Sequence, residues 1–145
     1  MKQGIQILQR TALLFFLAIF TLGSSCSTQS QDKSLGEALK QYETIIRWSQ
    51  WDAAVDFVSL EYQEEHPITR LDLDRLRLFK VTAYNLRSTG IFDEGMTARQ
   101  VVEIKMFNSH QAVERTIIDE QEWRYNEDRE RWLLHTGLPD PTKRY

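Results

Sequence analysis

The sequence predicts an α+β domain, a helical hairpin packed on one face of a curved antiparallel sheet. Three observations carry that expectation. Two neighbouring stretches repeat apolar residues at three-and-four spacing, the period of a helix with one buried stripe. A long run from residue 76 to residue 135 then alternates apolar and polar residues, the period of a strand with one buried face. Short clusters of turn-forming residues interrupt that run, so its strands should pair as an antiparallel meander. Helices first and strands after is the order of an α+β layer architecture.

The first helix is expected from residue 35, with Leu35, Leu39, Tyr42, Ile45, Ile46 and Ser49 along one stripe. Ser49 stands three residues before Asp52, a spacing that suits capping of a second helix. Trp51, Ala54, Val55, Val58 and Tyr62 mark that helix's buried face, and His66-Pro67 should end it. PITRLDLDRL, residues 67 to 76, fits either an irregular strand start with a bulge or a short helical turn. In the first strand Phe79, Val81 and Ala83 point one way and Lys80, Thr82 and Tyr84 the other. Residues 90 to 95 should break it, with Asp93-Glu94-Gly95 as the turn. Ala98, Val102, Ile104 and Met106 mark the inner face of the second strand, and Asn108-Ser109-His110 the next turn. Val113, Ile117, Trp123 and Tyr125 share a face in the third strand. That strand is long enough to be expected to bend at a bulge. Asn126-Glu127-Asp128 then turns into Trp132-Leu133-Leu134.

The N-terminus has its own pattern. Lys2 and Arg10 precede an apolar run from residue 12 to residue 22, and Gly23, Ser24 and Ser25 follow. A basic start, a short apolar core and small residues are the three parts of a secretory signal. The run is shorter than the roughly 20 residues a spanning helix needs. The only cysteine, Cys26, comes next, so an exported domain could form no internal disulfide. Leu22-Gly23-Ser24-Ser25-Cys26 resembles the lipobox of bacterial lipoproteins. That resemblance implies cleavage before Cys26, a thioether-linked diacylglycerol on its sulfur and further acylation, for instance by palmitate. Ser27 after the cysteine implies sorting to the outer membrane, facing the periplasm. The expected organisation is therefore a signal peptide over residues 1–25, a flexible tether over 26–34 and one domain over 35–145.

Removing residues 1–25 takes away two of the 18 basic residues and none of the 21 acidic ones. The remainder is acidic, which argues against nucleic acid as a partner and against adhesion to anionic lipid by charge.

The helix pair YETIIRWSQWDAAVDFV and the closing hairpin EWRYNEDRERWLLHTGLP are similar to those of the nuclear transport factor 2-like superfamily. The similarity covers about residues 35 to 141 and implies a cone-shaped α+β fold. The superfamily contains isomerases, cyclases, dehydratases, transport adaptors and binding domains, so it leaves the activity open.

Motifs for phosphate cradling, zinc proteolysis, serine hydrolysis and dithiol chemistry are absent from the sequence, and no cofactor is implied. His66, His110 and His135 are widely separated, and no metal site is expected. The candidates for chemistry are polar residues of inward parity. Arg115, Asp119 and Gln121 share their phase with Val113, Ile117 and Trp123, so without a bulge they line the cavity side. A carboxylate desolvated there could act as a general base, with Tyr84 or Tyr125 as hydrogen-bond donors. A bulge between Ile117 and Trp123 would instead put Ile118 inside and Asp119 in water. Trp48, Trp51, Trp123 and Trp132 fit either a core or a ligand cage. The expected function is a lipid-anchored accessory module that binds an envelope protein or a small apolar ligand without catalysis. The alternative is an isomerase, lyase or hydrolase with Asp119 as base.

Overall fold

The computed structural model describes residues 26–143, with side chains described from Ser34 onward. The expected signal peptide lies outside the described residues. The chain divides into two units, of which the first is described only over residues 26–32 and the second over residues 33–143. The described part of the first, residues 26–32, is helical backbone; the second contains the sheet and the core. Among the described residues, four helices precede a four-stranded antiparallel sheet. The α+β class and the curved meander therefore stand as expected.

Helix α1 spans Cys26–Arg47, so its backbone takes in the segment expected as a tether. Leu35, Tyr42 and Ile46 are buried along one stripe, with Leu39 and Ile45 packed beside them. Ser49 closes the helix in the left-handed region at φ 55°. Its hydroxyl does not cap a second helix, as the spacing to Asp52 had suggested. It accepts the Val81 N–H at 2.9 Å and so ties the helix end to the sheet.

The second predicted helix is split into α2, Trp51–Val55, and α3, Leu60–Glu65. The break has a tertiary cause. Phe57 O accepts the Leu134 N–H at 2.7 Å, and Ser59 N–H donates to Leu134 O at 2.9 Å. Val58 thus bridges the last strand in parallel, and that pairing outweighs the helical period of the segment. Ser59 then caps α3 by accepting the Tyr62 N–H at 3.1 Å. The ambiguous PITRLDLDRL stretch is helical. Helix α4, Arg70–Leu76, starts in a capping box formed by Thr69 and Asp72.

The strands are β1, Phe79–Phe92; β2, Thr97–Asn108; β3, Val113–Asn126; and β4, Arg131–Leu134. They pair in chain order. β1 runs through Gly90 rather than breaking there, and the turn falls at Asp93–Gly95. Asn108 Oδ1 accepts two N–H groups of the β2–β3 turn, from His110 and Gln111. Asn126 Oδ1 accepts one, from Arg129, at the β3–β4 turn.

The bulges lie in β1 and not in β3. The β1–β2 register shifts between Val81 and Ala83 and again between Leu86 and Ser88. The first shift reverses the phase read from the sequence, so Tyr84 turns inward and is buried. β3 keeps one register with β2 from Val113 to Arg124. The inner face predicted for β2 is buried as expected, and Gln100 and Asn108 join it.

Core side chains fill the centre of the space between helices and sheet, and a cleft of about 460 Å³ remains beside it between α1, Phe57 and Trp132. Tyr42, Trp51, Phe57 and Trp123 interlock at the centre, with Tyr42 meeting Phe57 at 5.5 Å and Trp123 at 5.1 Å, both edge to face. Three of the four tryptophans are core residues, and only Trp48 is exposed, at 74%.

Candidate functional site

A polar chain crosses the otherwise apolar inner face. Gln100 pairs with Gln121 across β2 and β3, and Gln100 Nε2 donates to Gln121 Oε1 at 2.6 Å. Trp123 Nε1 donates to the same oxygen at 3.2 Å. Gln121 Nε2 donates to Asp119 Oδ2 at 2.6 Å, and both amides approach the Tyr84 hydroxyl at 3.4 Å. Sequence parity placed Asp119, Gln121 and Trp123 on one side. That parity holds because β3 has no bulge against β2. Tyr84 reaches the group only because β1 does bulge.

Asp119 is half-buried, and burial pushes its carboxyl up to about 6, against the opposing pulls of the Gln121 hydrogen bond and the Lys143 charge. Burial likewise raises the Tyr84 hydroxyl. Tyr42 lies against the same cluster from α1. It is fully buried, its hydroxyl has no hydrogen-bond partner among the described residues, and burial followed by the charge of Asp119 pushes it far up.

Two expected members stand apart. Arg115 has the predicted phase, but its guanidinium donates to Pro141 O at 3.0 Å and lies over the Phe79 ring. Tyr125 meets Trp132 edge to face and is no donor to this cluster. Gln100 was missed, although its even-numbered phase with Ala98 and Val102 was readable.

Asp119 also lines a polar cleft of about 320 Å³ between β3 and the C-terminal segment, with Tyr62, His135, Asp140 and Lys143. His135 Nδ1 stands 3.4 Å from Ser59 Oγ and 3.8 Å from Glu61 Oε2. These three residue types suggest a hydrolytic triad, but the geometry does not. Both partners approach one ring nitrogen, and Ser59 Oγ is already the cap acceptor of α3. Burial holds His135 below its ordinary value. A more apolar cleft of about 390 Å³ lies between α4, Tyr62 and the segment from Gly137 to Thr142.

Among the described residues, no group of three or more His, Cys, Asp or Glu side chains could hold a metal ion. No described helix is long and apolar enough to cross a membrane. In comparisons with known proteins, no family and no curated protein matches the sequence.

Proposed function

We propose that this chain is a lipoprotein of the bacterial envelope, held by acyl chains on Cys26 at the outer membrane and facing the periplasm. Its domain is a nuclear transport factor 2-like cone that acts as a binding module, taking a protein partner or a small ligand without catalysis. One observation carries the non-catalytic reading: Tyr42, Trp51, Phe57 and Trp123 occupy the interior that a cone-fold enzyme would keep open for substrate. The order of helices and strands and the bulged first strand are compatible with the cone. The segment Leu22-Gly23-Ser24-Ser25-Cys26 supports the anchor. Two acyl chains on one residue hold a protein stably where a single chain does not.

Metabolic labelling with palmitate tests the anchor. The wild-type chain is expected to incorporate label and sediment with membranes, and Cys26→Ala to lose both. Equal labelling of the variant overturns the assignment.

A second reading rests on Asp119. A carboxyl at about 6 beside a polar cleft is placed to take a proton near neutral pH, as the base of an isomerase, lyase or hydrolase. It would need its substrate in the cleft at the β3 edge and not inside the cone.

A further inference from the structure

We propose that the free edge of β3 between Glu114 and Glu120 is a strand-addition site that takes an extended, basic segment of a partner protein. Such a site deepens the binding-module reading and rests on it.

The geometry begins with the mismatch of strand lengths. β3 has 14 residues and β4 only four, so β4 covers β3 only from Trp123 to Asn126. His135 extends the pairing by one bond, donating its N–H to Glu122 O at 2.8 Å. In an antiparallel ladder the backbone groups of alternate residues point to the same side. Glu122 and Arg124 therefore face β4, and Glu120, Ile118 and Thr116 face the same way with no strand opposite. Their N–H and C=O groups have no hydrogen-bond partner on that side among the described residues. They recur every second residue, a repeat of about 6.7 Å, which is the repeat of an incoming extended peptide.

The sheet's other edge is treated differently. β1 is bulged at two places, and its Val81 N–H is capped by Ser49. Bulges and caps are the devices that stop an edge from pairing. The β3 edge has neither, and its register is regular. It also borders an open space, the cleft of about 320 Å³ between Ile118 and Glu120 on one side and Leu138, Asp140 and Lys143 on the other.

Charge selects the occupant. Among the described residues that line the edge and cleft, the acidic Glu114, Asp119, Glu120 and Asp140 outnumber Lys143, with Lys105 set back on β2 opposite Thr116 and Arg115 engaged by Pro141 O and the Phe79 ring. Acidic residues on an edge repel a second acidic strand and attract a basic one. A second copy of this acidic chain is thereby disfavoured as the occupant.

The test uses a short synthetic peptide alternating lysine and valine, with two controls: the same peptide N-methylated at alternate amides, and its glutamate counterpart. In amide-resolved NMR of the full chain in detergent micelles, the lysine peptide should shift and protect the Thr116, Ile118 and Glu120 amides. Both controls should bind about tenfold or more weakly. Raised salt should weaken the lysine peptide. Protection at other residues, or equal binding of the N-methylated peptide, overturns the proposal. Ile118→Pro removes one edge N–H that has no partner, so the variant should fold and lose binding. Should it not fold, the N-methylated peptide decides alone. Crosslinked pull-downs from envelopes separate the two levels of the claim. A partner captured equally by wild type and by folded Ile118→Pro overturns the edge site while the binding-module reading stands. If the wild type captures nothing and also fails to bind the lysine peptide, both fall.

Discussion

Replacing Trp123 by alanine is expected to destabilise the domain by about 3–5 kcal/mol, a large share of the stability of a domain this size. Trp123 is fully buried at the centre of the inner face, where its ring meets Tyr42 at 5.1 Å and Phe57 at 6.1 Å. Truncating a buried tryptophan costs about 3–5 kcal/mol, because the transfer free energy of the ring is lost and a cavity remains. The two edge-to-face contacts add to that cost. Single domains are stable by only about 5–15 kcal/mol, so the variant should retain little margin. Gln121 Oε1 keeps the Gln100 donor, so no orphaned acceptor contributes. Trp48→Ala is the matched control. That side chain is 74% exposed, and its loss should shift stability by no more than about 0.5 kcal/mol. Urea titrations followed by far-ultraviolet circular dichroism separate the two. Equal midpoints for both variants would show that the aromatic cluster is not what holds helices to sheet.

The same cluster explains what could be read from the sequence. Local periodicity sufficed wherever one element meets the core along its whole length. The α1 stripe of Leu35, Tyr42 and Ile46 and the β2 face of Ala98, Val102, Ile104 and Met106 are of that kind. It failed where a distant strand decides. The helical period of residues 51 to 62 contains Val58, and nothing local reveals that Leu134 will pair with it. The β1 bulge at Thr82 is equally silent, because shifting the register reverses every later side chain without changing the alternation. Asp119 was legible because β3 happens to run unbulged, so parity survived from Ile117 to Trp123. Its surroundings were not. Tyr84, Gln100, Tyr42 and Lys143 come from four other parts of the chain, and only the fold brings them to one carboxyl.

Asp119→Asn is expected to stabilise the domain at pH 7, by an amount that depends on pH in a definite direction. The folded carboxyl sits at about 6 against an ordinary value of 3.8, so the folded state binds the proton more tightly than the unfolded chain does. The stability linked to this group is full below about 3.8, is lost as pH rises toward 6, and stays lost above that. A gap of about two pH units corresponds to roughly 3 kcal/mol at most. Partial exposure of the side chain at the cleft brings the expectation to the order of 1–2 kcal/mol. Asparagine keeps an oxygen for the Gln121 amide and never ionises, so it escapes this loss. Its effect on Lys143 should be small, since that side chain is exposed. The wild-type profile alone would mislead. Glu103 and Glu122 are held below their ordinary values by arginine partners, and they lose stability in the opposite direction as pH falls. The difference between variant and wild type removes those terms. Measured by urea unfolding, it should be near zero at pH 4, rise through pH 5 to 6 and level off above. A flat difference, or a variant less stable than wild type at pH 7, would mean that Asp119 is solvated like an ordinary strand carboxylate. The same variant bears on the second functional reading, because a base at this position would lose turnover at the pH where the fold gains stability. That opposition is the signature of a site that holds a charge against the preference of its surroundings.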